Sequence, residues 1–219
     1  MKVAIIGAYG FLGTHLTEYY ENKGNSVVKI GRDNSKLNNI FDCDFLIHCA
    51  GVNRAITPEI VFQENINITE KLVFNLNKLN IKIPIKFISS IHEGNDTPYG
   101  KAKKQCKDIM NQYCVNNKVI FENYKLPNLF GTKGKPNYNS FVNTFAYNIV
   151  NNIKSQYNTN PVSLCSVLDA IKVIDNQKNK YKLYHTNVKE VYDKLNNIGN
   201  SEFDKKLSEI LDYYKNIKQ

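Results

Sequence analysis

The strongest constraint on this chain lies close to its first residue. Val3-Ala4-Ile5-Ile6 is an apolar run of strand length, and it passes directly into Gly7-Ala8-Tyr9-Gly10-Phe11-Leu12-Gly13, which opens a stretch with apolar residues at helical spacing. A strand, a G-x-x-G-x-x-G turn and a helix in that order form a site for a pyrophosphate. Glycines allow a tight turn and close approach of the backbone, and the phosphate charge meets the positive end of the helix. Gly7, Tyr9, Gly10, Phe11, Leu12 and Gly13 are therefore candidate cofactor contacts.

The rest of the chain fits the architecture that such a turn needs. Strand-like apolar runs at residues 3–6, 27–30, 45–48, 85–89 and 119–124 alternate with helical patterns at 11–21, 58–79 and 99–115. Alternation of this kind makes βαβ units and a doubly wound parallel sheet of the α/β class, with ligands above the carboxyl ends of the strands. After Tyr124 the pattern loosens. Residues 131–140 form a loop rich in Gly, Pro and Asn, 140–153 read as helical, 161–165 as extended, 166–174 as a short helix and 201–218 as an amphipathic helix. With 219 residues, one domain is expected. Its first part, about residues 1–135, would hold the cofactor, and a smaller part, about 136–219, would bind substrate.

Composition narrows the function classes. Hydrophobic residues make up 42% and charged residues 22%, as in ordinary globular proteins. No apolar run approaches the roughly 20 residues of a membrane-spanning helix, and the first residues are too short an apolar stretch for a signal peptide, so a cytoplasmic protein without a membrane partner is expected. Five cysteines with no C-x-x-C pair and no nearby His at ligand spacing argue against a disulfide framework and against a metal site. The net charge of +9 favours an anionic partner, but the basic residues are scattered among Asn with no run that would mark a nucleic-acid groove. A nucleotide cofactor and a nucleotide substrate account for part of it.

Two further clusters carry chemistry. The second strand ends in Gly31-Arg32-Asp33, with glycine where an NAD site usually places an acid and with an arginine able to take a 2′-phosphate, which favours NADPH; a one-residue shift would put Asp33 there and turn the choice toward NADH. Tyr99 and Lys103 in Tyr99-Gly100-Lys101-Ala102-Lys103 are spaced i,i+4 and share a helix face. A phenol is a poor acid at neutral pH, and a neighbouring ammonium improves it by favouring the phenolate. Upstream, Ser90 closes Phe87-Ile88-Ser89-Ser90, where a hydroxyl can donate to a carbonyl as negative charge develops.

These elements, with Cys49-Ala50-Gly51-Val52-Asn53-Arg54, Pro98-Tyr99-Gly100 and Pro127-Asn128-Leu129-Phe130-Gly131 through Lys135-Pro136-Asn137-Tyr138-Asn139-Ser140, resemble the extended short-chain dehydrogenase/reductases. Within that group the chain is most similar, over about residues 1–175, to capsular-polysaccharide reductases of UDP-2-acetamido-2,6-dideoxy-hexos-4-uloses. The resemblance implies a Rossmann-like fold, NADPH as cofactor, a UDP-sugar substrate, and a homodimer that pairs the helix of Tyr99 with the preceding helix. It also implies catalysis by Ser90, Tyr99 and Lys103, with Lys103 holding the nicotinamide ribose, Ala50 and Gly51 lining the cofactor, and Arg54, His92, Asn128 and Asn139 facing the sugar nucleotide. Lys125 stands where relatives commonly carry Arg; relatives also often continue into a C-terminal cupin domain that epimerises the sugar, and a reductase part without it is expected here.

Three alternatives stand beside a 4-keto reductase: a sugar-nucleotide epimerase or 4,6-dehydratase, a dTDP-4-dehydrorhamnose-type reductase, and a non-catalytic NADP-binding sensor or scaffold. Dehydratases typically place Asp-Glu directly after the catalytic hydroxyl residue, and Ile91-His92 occupies those positions. Sensors usually lose the Tyr or the Lys, and both are kept.

Overall fold

The computed structural model describes residues 1–31, 37–138 and 140–218. The chain divides into two compact units, Met1–Leu126 and Pro127–Gln219.

The first unit is a five-stranded parallel sheet in the order β2-β1-β3-β4-β5, formed by β1 (Lys2–Ile6), β2 (Ser26–Ile30), β3 (Phe45–His48), β4 (Ile85–Ser90) and β5 (Phe121–Leu126). The helices α1 (Phe11–Asn22), α2 (Pro58–Lys78) and α3 (Pro98–Asn117) connect them. Val3, Ala4, Ile5 and Ile6 of β1 and all of β4 are buried, as expected for parallel strands covered on both faces. Ala4, Ile6, Leu46, Ile85 and Phe87 meet Leu72, Leu76, Cys106 and Met110 of α2 and α3 in the main core.

Local chemistry sets the helix ends. Thr57 and Thr97 cap α2 and α3 by accepting from the amides of Ile60 (3.4 Å) and Gly100 (3.1 Å), and each is followed by proline at the first helical position. The fifth strand begins two residues later than the apolar run at 119–124 suggests. Lys118 ends α3 in the left-handed conformation and the Val119 amide closes back onto Cys114, so the helix exit uses residues that would otherwise start the strand.

The second unit contains a three-stranded sheet, β6 (Asn128–Phe130), β7 (Pro161–Ser166) and β8 (Tyr184–Asn187), with β6 parallel and β8 antiparallel to β7. Helices α4 (Phe141–Val150), α5 (Val167–Ile174), α6 (Val188–Asn196) and α7 (Glu202–Lys218) complete it, and Phe130, Phe145, Leu164, Val191, Leu207 and Ile210 form its core. The short strands β6 and β8 were not evident from the hydrophobic pattern, and the helix α6 was missed although its apolar residues follow helical spacing.

No helix among the described residues is long and apolar enough to cross a membrane. Cys43, Cys106, Cys114 and Cys165 are buried, Cys49 is half-buried, and all five are free thiols.

Candidate active site

The strand order reverses between β1 and β3, and the segments after β1, β3 and β4 all leave the carboxyl edge of the sheet, where doubly wound sheets bind ligands. Gly7 exits β1 with φ +88°, a conformation that side chains disfavour. Its amide and that of Ala8 donate to Ile30 O at 2.9 and 3.2 Å, which ties the turn to the end of β2. A β-carbon on Gly7 would lie 2.6 Å from Ala50 N, and one on Gly13 would lie 2.0 Å from Gly7 O. The turn thus closes only with glycine at both positions. No side chain caps α1, whose first amides belong to Phe11, Leu12 and Gly13, while Tyr9 is exposed beside it. A bare helix N-terminus behind a glycine-built cradle fits the pyrophosphate of a dinucleotide. Arg32, which bears on the choice between NADPH and NADH, lies outside the described residues.

The second cluster gathers at β4 and the start of α3. Lys103 is buried, its Nζ donates to Ile88 O at 3.1 Å, and the same nitrogen lies 5.8 Å from the centre of the Tyr99 ring one turn earlier. A methyl on Gly51 would come within 3.4 Å of Lys103 Nζ and 2.9 Å of Asn65 Oδ1, so the loop after β3 runs directly past the ammonium. The charge is felt nearby. Burial, reinforced by Lys103, holds His48 neutral with its pKa pushed down to about 3, and burial lifts the Cys49 thiol to about 12 although Lys103 opposes this. His48 is a packing residue, in contact with Thr69 Oγ1 at 3.4 Å. Ser90 is buried at the end of β4, and its Oγ accepts from the His92 amide at 3.2 Å.

The loop between β4 and α3 is held by side chains. Glu93 Oε2 accepts from Ser89 Oγ at 2.6 Å and from Asn123 Nδ2 at 2.9 Å, and Glu93 Oε1 pairs with Lys125 Nζ at 3.0 Å. Burial opposes ionisation of Glu93, yet the bonds from Ser89, Asn123 and Lys125 together hold its carboxyl below the usual range. Lys125 therefore supports the post-strand loop, as a point charge and without the fork of an arginine. At the far end of the loop Gly94 N donates to Gly100 O at 2.9 Å, and a β-carbon on Gly100 would meet His92 O at 2.4 Å. His92 and Arg54 are both exposed, on the loops after β4 and β3.

In the second unit Asn128 opens β6, and its amide lies 3.4 Å from Ser163 O. Asn139 lies outside the described residues. The loop before it is fixed from within the unit. Buried Asn143 donates through Nδ2 to Gly131 O at 2.8 Å and to the Tyr214 hydroxyl at 3.2 Å, and Tyr214 in turn donates to Gly134 O. Burial pushes the Tyr214 phenol up to about 12, so it remains a protonated donor. Among the described residues no group of three His, Cys, Asp or Glu is placed to hold a metal ion.

Residues 3–187 match the NAD dependent epimerase/dehydratase family. The chain belongs to that family. A UDP-2-acetamido-2,6-beta-L-arabino-hexul-4-ose reductase of Pseudomonas aeruginosa is 33% identical over 171 residues, which cover 76% of this chain and 46% of the reductase. The chain thus matches less than half the length of that relative. Among solved structures, the capsular polysaccharide assembling protein CapF of Staphylococcus aureus aligns with a TM-score of 0.78 at 24% identity, over 98% of this chain and 65% of CapF. RMD of Pseudomonas aeruginosa, complexed with NADPH, aligns with a TM-score of 0.77 at 14% identity, over 98% of this chain and 100% of RMD. Both likenesses show the fold that this epimerase/dehydratase family member shares with them.

Two residues of this family member escaped the sequence reading. Asn65 on α2 accepts from Val52 N at 3.2 Å and donates to Val52 O at 2.8 Å, clamping the loop that contains Ala50 and Gly51. A polar residue among apolar neighbours on a buried helix face was the available signal. Glu93 was the other, and a lone acid after a strand carries no such signal.

Proposed function

We propose that this chain is an NADPH-dependent reductase of the 4-keto group of a nucleotide-activated 6-deoxy sugar, specifically a UDP-2-acetamido-2,6-dideoxy-L-hexos-4-ulose. The reading is supported by Lys103, which lies 5.8 Å from the Tyr99 ring and donates to Ile88 O on the strand that Ser90 ends, in the same sheet that bears the glycine turn. The P. aeruginosa reductase supports the substrate class, and RMD with its NADPH supports the cofactor.

When bound, NADPH supplies the hydride that reaches the keto carbon. Tyr99 gives its phenolic proton to the carbonyl oxygen and recovers one from solvent, so the carbonyl becomes an alcohol. Ser90 accepts from the His92 amide, which leaves its own hydrogen to donate to the same oxygen. Lys103 holds positive charge beside Tyr99 and takes the nicotinamide ribose. Gly7, Gly10, Gly13, Ala50 and Gly51 admit the cofactor backbone, Arg32 accepts its 2′-phosphate, and Arg54, His92, Asn128 and Asn139 bind the sugar nucleotide. The first carboxylate after Ser90 is Glu93, which is engaged by Ser89, Asn123 and Lys125, an arrangement that favours reduction over elimination. The protein acts as a homodimer built on α2 and α3, which leave Ile60, Phe74 and Val115 exposed.

The test is NADPH oxidation with enzymatically made UDP- and dTDP-4-keto sugars. Turnover is expected with the UDP-linked N-acetyl 6-deoxy substrate and with NADPH in preference to NADH. Absence of turnover across the panel overturns the reading, and equal efficiency with NADH overturns the cofactor assignment alone.

A further inference from the structure

Two residues of the proposed site lie close together at the end of β4, Ser90 as its last residue and His92 in the loop that follows. Its two flanks are joined directly, since Ser89 Oγ donates to Glu93 Oε2 at 2.6 Å while the Glu93 amide donates to Ser90 O at 2.9 Å. The same carboxylate reaches across to β5, where it meets Asn123 at 2.9 Å and Lys125 at 3.0 Å. Only 6% of the Glu93 side chain is exposed. The carboxylate is therefore buried against β4 and β5.

We propose that Glu93 is a positioning residue, which fixes the Ser90 hydroxyl for the carbonyl oxygen by tying the turn at residues 90–93 to Ser89, Asn123 and Lys125. This rests on the reductase reading above. The backbone holds the turn through Glu93 N to Ser90 O at 2.9 Å, Ile91 N to Leu126 O at 2.9 Å and Asn95 N to His92 O at 3.1 Å, and the buried acid adds three side-chain donors on two strands, which restrain it in a further direction. Holding a catalytic hydroxyl in place matters because a displacement of about 1 Å costs on the order of 10²-fold in rate. The glycine turn is anchored separately, through the Gly7 and Ala8 amides to Ile30 O, so loss of the Glu93 anchor leaves cofactor binding in place.

The experiment is a double-mutant cycle read by turnover with NADPH and the 4-keto substrate, alongside the Kd for NADPH. Glu93→Gln keeps the volume but weakens the pairing with Lys125 and sets an amide against Asn123. It is expected to lower kcat by roughly 10- to 100-fold with unchanged NADPH affinity. In a Ser90→Ala background the same substitution is expected to add almost nothing, because residues acting as a unit are not additive. A merely structural acid would give the same fold-change in both backgrounds, and that result overturns the proposal. Should Glu93→Gln not fold, Lys125→Ala removes one anchor from a half-exposed site, with an expected kcat loss of roughly threefold, again absent in Ser90→Ala. Full turnover by Lys125→Ala, or the same fold-loss in the wild-type and Ser90→Ala backgrounds, overturns the proposal by the second route. The two readings fail differently. If the wild type turns over no 4-keto sugar, the reductase assignment itself is wrong and the role of Glu93 falls with it; if Ser90→Ala retains wild-type turnover, the role of Ser90 is wrong and that of Glu93 falls with it. If Ser90→Ala is impaired while Glu93→Gln is not, only the role of Glu93 is wrong.

Discussion

The turn after β1 and the loop after β4 leave the same edge of one sheet, but they are made in opposite ways. The first owes its shape to missing side chains: Gly7 and Gly13 let backbone come within distances that no β-carbon permits, and the bonds that hold it run from amides to Ile30 O. The second owes its shape to side chains that are present, with Glu93 joined to Ser89, Asn123 and Lys125 and with Asn95 Oδ1 accepting from Thr97 Oγ1 at 2.6 Å. A turn made of backbone tolerates no added atom and is indifferent to pH. A loop made of side chains tolerates changes in size and responds to protonation.

The largest expected effect separates chemistry from loop construction. Tyr99→Phe removes a hydroxyl that anchors neither loop, so kcat should fall by about 10²–10⁴-fold with NADPH affinity and melting temperature unchanged. Retention of more than about a tenth of wild-type kcat shows that Tyr99 is not the proton donor.

Next comes Gly13→Ala, whose β-carbon would stand 2.0 Å from Gly7 O. The backbone must move, at a cost of about 3 kcal/mol by the scale of overpacked cores, and NADPH affinity should fall at least about tenfold. Denaturation and a binding titration measure the two, and wild-type values for both would show that the turn is not sterically closed.

A smaller effect should appear with acid. Because the folded protein holds the Glu93 carboxyl below its ordinary value of 4.5, the stability it contributes is complete above that value and is lost as pH falls through the lowered folded value. Lys125 on β5 and Lys107 on α3 are the charges that act on it. Glu93→Gln should therefore show a shallower loss of melting temperature below about pH 4.5 than wild type. Parallel acid profiles would contradict the difference between the loops.

The smallest effect is a control. Gly24 also has a left-handed φ of +74°, but a β-carbon there would meet nothing within 4 Å. Gly24→Ala should cost about 1 kcal/mol, from backbone conformation alone, and leave NADPH binding untouched. A loss as large as that of Gly13→Ala would mean that positive φ, and not crowding, governs these turns.

The contrast also explains what the sequence discloses. A glycine turn is visible in the letters because its determinant is residue type at fixed spacing, and the strands beside it are visible because parallel strands buried on both faces are apolar throughout. The i,i+4 spacing of Tyr99 and Lys103 placed both at one site for the same reason. Glu93 was not legible, since its partners Asn123 and Lys125 come from a strand that is distant in sequence and only the register of β4 with β5 brings them together. In the second unit β6 has three residues and β8 lacks apolar alternation, so neither shows a period. The helix α6 was legible and overlooked: Val188, Val191, Tyr192 and Leu195 follow helical spacing behind the capping residue Asn187.

The bond from Tyr214 to the loop at residues 131–138 bears on the order in which the molecule is made. Every strand of the parallel sheet has been synthesised once Leu126 is added, and the loop itself follows soon after. The Tyr214 hydroxyl that holds Gly134 and Asn143 does not exist until α7 is nearly complete. A nascent chain therefore contains all the sheet strands well before its loop gains the anchor on α7. A ribosome that pauses ahead of residue 214, or a protease that cuts before α7, leaves the loop with its bonds to α4 and without those to Tyr214.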